Sequence, residues 1–346
     1  MKLGLLSYTN RTSGVGCVAG DLFDNVPVDS MFSVRTVKGQ EQWLARQVNG
    51  IPDTPTLTDY LRQYRPDILL SIETLFCPGV EATCREHGCR TVLMVMQESY
   101  YPARFAPDIW LCPTRCAWDK VEAPNKVYFY LPIDVRPFTF RKRTVARRFL
   151  HVMGYGSGAR AGRAGSGPSR RQTREVCAGF CAIDSPDISL TVHCQEDWRG
   201  EYGECLDPRV TFRLSTLPTP AAVYEGFDVL IQPDAYAGYN RVLLEAKACG
   251  MPVITTDAPP MNELVTDAEA LIPARAEWYD FRRHGANFGP ICTPHLIAAD
   301  CVTDAVKRVL QWDIPAKSLR ARKCAKAHAW TDDKRADFVR LLESLL

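Results

Sequence analysis

The sequence has no uninterrupted apolar run of the about 20 residues that a membrane-spanning helix requires. Its opening, MKLGLLSY, turns polar and glycine-rich at once. That leaves too short an apolar stretch, and no small-residue cleavage site, for a secretory leader. An excess of one charge is also missing. Lys and Arg number 42 against 40 Asp and Glu, a formal net charge of +2, so the chain is not a polycation. Any affinity for nucleic acid would have to come from a local patch. The 14 cysteines are many but scattered, without the short-loop framework of a small disulfide-stapled domain. Together these absences predict a soluble, cytoplasmic protein whose thiols serve as small buried hydrophobes.

What is present points to two domains. Domains commonly hold roughly 100–200 residues, and this chain has 346, 46% of them hydrophobic. Lys2 to Tyr8, PDILLSI, RTVLMVM, PDIWLCP and NKVYFYLP read as strands, with helical stretches between several of them. A linker, LPIDVRPFTFRKR, carries two prolines and a charge run. The pattern then restarts with FLHVMG, DISLTVHC, RVTFRLS, FDVLIQP and MPVITTD. Strands apolar throughout, alternating with amphipathic helices, indicate parallel sheets covered on both faces. The expected class is α/β, with two Rossmann-like domains of parallel sheet: an N-terminal domain over 1–135, a linker over 136–148, and a C-terminal domain over 149–317. Helices over 318–346 follow.

Gly14 and Gly16 sit between the first strand and its helix, where glycine lets backbone amides approach a phosphate. The spacing is not GxGxxG, because Gly20 falls one residue late, and no acidic ribose ligand ends the next strand. A dinucleotide site is therefore weakly supported, and a tight turn needing glycine explains the loop equally well. CREHGC crowds its ligands too closely for the usual zinc spacings, so no metal is expected. The pairs Cys112/Cys116 and Cys177/Cys181 have helical spacing and read as core. Asp332 and Asp333 follow a threonine and read as the first turn of a helix.

The most informative segment is FDVLIQPDAYAGYNRVLLEAKACGMPVITTDAPPMNEL, Phe227 to Leu264. It reads as strand, glycine loop, helix, strand and proline-rich loop. The loop at Gly238 feeds the N-terminus of the helix bearing Glu245, setting amides beside a carboxylate. That combination suits a ligand with phosphates and vicinal hydroxyls. The segment resembles the donor-site signature of retaining GT-B glycosyltransferases of the family-four, or group 1, type. In that signature a glutamate is followed by a Gly-Phe-Gly-like loop, a second glutamate eight positions on, and EAMACGxPVI.

The resemblance implies a GT-B fold and sugar transfer from a nucleotide-sugar, UDP-linked, to an acceptor hydroxyl. It implies retention of configuration and no metal or other cofactor. It gives Glu245 the donor ribose, and gives the amides of Gly238, Tyr239, Asn240 and Arg241 the sugar and diphosphate. Arg160 and Arg163 would neutralise the diphosphate, and Arg213 and Leu217 would border the base. Glu98, at the end of a strand in MQESYYP, would face the acceptor. The last helix would cross back to the N-terminal domain. One departure is plain: the first glutamate position is Ala237. Asp234 and Asn240 are the polar residues near enough in sequence to take its place.

Arginines crowd 141–174, among them Arg141, Arg143, Arg147, Arg148, Arg170, Arg171 and Arg174. A polyanionic acceptor, such as a hydroxymethylated DNA base, is therefore a second expectation. A solvated loop that contacts only the donor diphosphate is the plainer reading. A degenerate binder, an NAD-dependent oxidoreductase and a nucleotide-sugar epimerase complete the alternatives.

Overall fold

The computed structural model describes residues 1–35, 40–154, 169–195, 205–265, 267–279 and 292–346. They fall into two compact units. The first holds Met1–Asp134 and the segment Trp330–Leu346, and the second runs from Val135 and includes Cys292–Ala329.

The first unit is built on seven parallel strands: β1 (Leu3–Ser7), β2 (Ser30–Val34), β3 (Gln47–Gly50), β4 (Ile68–Ile72), β5 (Arg90–Met94), β6 (Ile109–Cys112) and β7 (Lys126–Tyr128). They lie in the order β3-β2-β1-β4-β5-β6-β7. Helices α1 (Gly14–Asn25), α2 (Thr54–Tyr64), α3 (Val80–Glu86) and α4 (Arg115–Lys120) make the connections. β1, β2 and β4 are buried over every residue, as strands covered on both faces must be. Phe32, Leu57, Tyr60, Leu69, Leu93 and Trp110 belong to one core cluster.

The second unit repeats the plan with β8 (Arg148–Gly154), β9 (Ser189–Cys194), β10 (Val210–Leu214), β11 (Val229–Gln232), β12 (Val253–Thr256) and β13 (Leu271–Ile272). Their order is β10-β9-β8-β11-β12-β13, all parallel. The helices are α5 (Thr173–Cys181), α6 (Arg241–Ala248), α7 (Ala299–Val309) and α8 (Ile314–Ala327). The expected class, two Rossmann-like α/β domains with parallel sheets, is what the structure shows. In both sheets the strand order reverses beside the first strand, at β1/β4 and at β8/β11. A ligand crevice forms outside the strand C-termini at such a switch point.

The segment read as a linker is packed on the second unit. Phe138 is buried, Arg141 N donates to Cys249 O at 3.2 Å, and Arg143 N donates to Ser318 Oγ at 2.9 Å. After Ala329 the chain enters the first unit. Thr331 caps α9 (Asp332–Glu343) by accepting from Lys334 N, as the Thr-Asp-Asp sequence predicts. Trp330 and Phe338 pack on Phe129 there. Cys112 and Cys116 do not share a helix, contrary to their spacing. Cys112 ends β6 and Cys116 lies in α4, because the Pro-Thr turn between them restarts the chain at the Thr114 cap. Both are buried.

Helices α5 and α7 touch at Gly179. A Cβ there would lie 2.2 Å from Ala299 O and 2.7 Å from Val302 Cβ. A backbone oxygen cannot yield as a side-chain tip can, so Gly179→Ala should destabilise the second unit by about 1–3 kcal/mol. Urea unfolding reads this, and an unchanged midpoint refutes the close approach.

Candidate donor site in the second unit

The site begins where β8 and β11 separate. Their main-chain register covers Val229↔Phe149 and Leu230↔Leu150. Beyond that the Gln232 side chain takes over. Its amide accepts from Val152 N and donates to Val152 O, both at 3.1 Å, and also donates to Asp234 Oδ1 at 2.7 Å. Asp234 is fully buried and ion-paired with Arg171. Its backbone carbonyl accepts from Thr256 Oγ1 at 2.8 Å. Gln172, in the left-handed region at φ 52°, binds the same loop from the other side. Its Nε2 donates to Pro233 O at 2.7 Å and to His295 O at 3.1 Å, and its Oε1 accepts from Ile297 N at 2.8 Å. The loop leading to α6 is therefore held by side chains of β11 and of the segment before α5.

His151 lies beneath this network. Its Nδ1 is 2.8 Å from Ile231 O, and its Nε2 is 2.9 Å from Thr173 Oγ1. A carbonyl only accepts, so Nδ1 carries the proton and Nε2 accepts from the threonine. Burial pushes the imidazole down to about 4, against the hydrogen bond to Ile231 that favours the charged form.

At the mouth of α6 stands Asn240, the residue before its first turn, with φ 52° and ψ 50°. It is 6% exposed, and among the described residues neither its Oδ1 nor its Nδ2 has a hydrogen-bond partner. A buried amide with both ends unsatisfied costs free energy, as does a left-handed backbone at a residue other than glycine. The two costs meet at the N-terminus of an eight-residue helix, where anions are favoured. Gly238 and Tyr239, on the same loop, are buried.

Glu245, one turn into α6, is engaged within the protein. Arg241 Nε donates to its Oε1, and Tyr224 Oη donates to its Oε2 at 2.5 Å. Burial first, then the Glu245 charge, pushes the Tyr224 hydroxyl well up, so it stays a donor. The carboxylate is thus oriented in advance, with lone pairs remaining for a ligand diol.

At the adjoining edge His193, next to last in β9, is in register with Arg213 of β10. Among the described residues its buried Nδ1 has no hydrogen-bond partner, and its Nε2 is 3.5 Å from Ser215 Oγ. Burial, then the Arg213 charge, lowers it, so it presents a neutral ring. Arg213 is exposed and Leu217 half-buried. Arg160 and Arg163 lie outside the described residues.

The first-unit candidates behave differently from one another. Gly14 opens α1 with free space where a Cβ would stand. At Gly16 a Cβ would lie 1.8 Å from Asn10 O, and its amide donates to the Ser13 cap at 3.2 Å. Close packing therefore accounts for Gly16. Glu98 is 3% exposed in a single 3₁₀ turn, Gln97–Ser99, after β5. Beside it Gln97 Oε1 accepts from Lys120 Nζ at 2.7 Å.

Sequence reading gave Asp234 and Asn240 equal standing as substitutes at the Ala237 position. The structure separates them: Asp234 is spent on Arg171 and Gln232, whereas the Asn240 amide is unspent. It also divides the arginine stretch. Arg143 is buried, Arg148 pairs with Asp228 and Arg171 with Asp234. Arg143 and Arg171 are thus used within the protein, whereas the Arg148 side chain stays 58% exposed. Residues missed from sequence are Gln172, His193, Tyr224 and Gln232, and Arg171 was read only as a member of the arginine-rich stretch. Gln232 carried a usable signal, a polar side chain closing an apolar strand.

Comparison with known proteins agrees with this geometry. Residues 180–280 match the family model described as glycosyl transferases group 1. The resemblance carried by 227–264 holds. No curated protein sequence matches the chain. Among solved structures, sucrose-phosphate synthase from Thermosynechococcus elongatus is similar at TM-score 0.68 and 14% identity, covering 100% of this chain and 99% of that one. Anabaena HepE in complex with UDP gives 0.68 at 11%, covering 99% and 100%. The lipopolysaccharide outer core galactosyltransferase WaaB gives 0.60 at 15%, covering 100% of both. The chain has the GT-B glycosyltransferase fold. No helix among the described residues is long and apolar enough to cross a membrane.

Two predictions follow from the buried groups. Removing Glu245 deletes a carboxylate that meets both the Arg241 guanidinium, whose side chain is 10% exposed, and the buried Tyr224 hydroxyl. Glu245→Ala should cost about 3–5 kcal/mol before any ligand is added, and a chemical-denaturation midpoint equal to wild type would refute the pairing. His151 sets a pH dependence. Its folded value, about 4, lies below the ordinary 6.5, so the unfolded chain binds a proton more readily. Above 6.5 the group contributes nothing, and from 6.5 down to about 4 it removes stability, about 3 kcal/mol in all. His151→Gln should flatten the fall of the urea midpoint across that window. An unchanged slope would show that His151 is not its source.

Proposed function

We propose that this chain transfers a sugar from a nucleotide-sugar, of the UDP-linked class, to an acceptor hydroxyl, with the donor's diphosphate received at Asn240 and the N-terminus of α6. The observation that carries the reading is the Asn240 amide: buried, unsatisfied, left-handed, and set at a helix N-terminus outside the switch point of the second sheet. A diphosphate oxygen would accept from Nδ2, and a sugar hydroxyl would donate to Oδ1. Glu245, fixed by Arg241 and Tyr224, would accept from the ribose hydroxyls. Arg213 and His193 would lie beside the base, and in the first unit Gly14 opens α1 with free space around it. HepE has been solved with UDP-glucose, which supports a UDP-linked donor class.

Chemically, the bond between the anomeric carbon and the diphosphate oxygen breaks as the acceptor oxygen bonds to that carbon. The acceptor's proton passes to the departing diphosphate, with retention at the anomeric carbon. The helix N-terminus and arginines, Arg160 and Arg163 by the family pattern, stabilise the negative charge that develops on the leaving group without calling on a metal. Glu98 is the acceptor-side carboxylate. Ala237, at the first acidic position, favours a second reading: a binder that holds the donor without transferring it. Release of UDP in the presence of acceptors separates the two.

Asn240→Asp keeps the shape and the left-handed preference but sets a carboxylate against the phosphates. Calorimetric titration with UDP-glucose and UDP-galactose should show micromolar-class binding by wild type weakened by about tenfold or more in the variant, on the order of 1–3 kcal/mol. Equal affinity, or wild-type binding of NAD alone, sinks the proposal.

A further inference from the structure

Two residues after Glu245, about 200° round the helix, α6 carries Lys247. The resembling motif has methionine at this position, EAMACG, where this chain has EAKACG. Lys247 is only 7% exposed. Its ammonium donates to Leu264 O and lies 3.4 Å from Cys324 Sγ. Neither neighbour is a carboxylate. The acidic side chain acting on it from a distance is Asp267, which is itself bound by Lys317. A buried ammonium with no counter-ion is unfavourable. Among the described residues the sulfur is the one group in contact with it that can carry a negative charge.

The other side of that sulfur faces His328, on the end of α8. His328 Nδ1 is 3.8 Å from Sγ and 2.9 Å from the Cys324 carbonyl oxygen. The carbonyl only accepts, so Nδ1 bears a proton and presents it to the sulfur as well. The charged and titratable groups facing Cys324 are therefore Lys247 from α6 and His328 from its own helix, with Asp267 behind Lys247. Burial alone would push the thiol up, but the His328 hydrogen bond and the Lys247 charge outweigh it and hold it below its ordinary range. The Cys324 bond raises His328 in turn, against burial. Burial pushes Cys77 and Cys301 up, Cys112 to about 12 and Cys249 to about 11. Cys324 is half-buried.

We propose that Cys324, with Lys247 and His328 set against its sulfur, is a site of covalent modification by the disulfides of small thiols. The thiolate sulfur attacks one sulfur of the disulfide, and a new S–S bond forms as the old one breaks. The departing small thiolate carries the electron pair and takes a proton from water. Cys324 is oxidised and half of the disulfide is reduced. The inference is independent of sugar transfer, and its test uses no donor.

The test is peptide-resolved mass spectrometry of the native full chain after brief exposure to iodoacetamide across a pH series, and separately to glutathione disulfide. Cys324 should alkylate ahead of the half-buried Cys17 and Cys301, with a midpoint below the ordinary thiol value of about 8.5. It should also be the first cysteine to form the mixed disulfide. Lys247→Met, the motif residue, should slow Cys324 about tenfold near neutral pH, the effect of a one-unit rise. His328→Gln should act in the same direction and serves if the first variant does not fold. Labelling of Cys324 no faster than Cys17 and Cys301, an unchanged rate in the folded variants, or fast alkylation without mixed-disulfide formation would each overturn the proposal.

Discussion

The second unit depends on one buried charge. Asp234 has no solvent to stabilise it, so its carboxylate has to be met from within, and Arg171 and the Gln232 amide meet it. That requirement brings the segment before α5 against the loop after β11. Gln172, the next residue, then fixes both Pro233 and the strand-like segment at His295–Ile297. The loop between β11 and α6 is thereby held at several points before Asn240 is reached. Pre-organisation of this kind lets a strained backbone and an unsatisfied amide persist, since the surrounding bonds over-determine the conformation.

The sequence made the frame readable where burial is two-sided. β1, β4, β5, β8, β9 and β11 are apolar nearly throughout and were legible as strands. β2 and β3 were not. β2, SMFSV, buries two serines whose partners lie elsewhere: Ser30 meets the Tyr60 hydroxyl and Ser33 meets Thr9. β3, QVNG, is a half-exposed edge strand. At the site, the loop and helix around Glu245 were legible because their spacing is local. The residues that hold them were not, because each partnership is long-range: Arg171 with Asp234 spans 63 positions and Tyr224 with Glu245 spans 21. Local pattern shows where a ligand loop stands, whereas the buried polar network that stiffens it is visible only in three dimensions.

Helix α6 serves three environments at once. Its first residue abuts the unsatisfied Asn240 amide, its middle carries Glu245 in a tripartite hydrogen-bonded group, and its end carries Lys247 against a sulfur. Eight residues leave little room for these to be energetically independent. Neighbouring groups of this kind couple in double-mutant cycles. Substitutions along the helix should be read as one system.

The aromatic contacts of Trp330 and Phe338 with Phe129, and the bonds from Arg335 to Asn25 and from Arg90 to Leu345 O, tie residues near position 340 to the first unit. During synthesis the chain emerges from residue 1 onward. The first sheet is therefore made early but waits, with one aromatic face uncovered, until all of the second unit has left the ribosome. The unit that is first in sequence is the last to be completed.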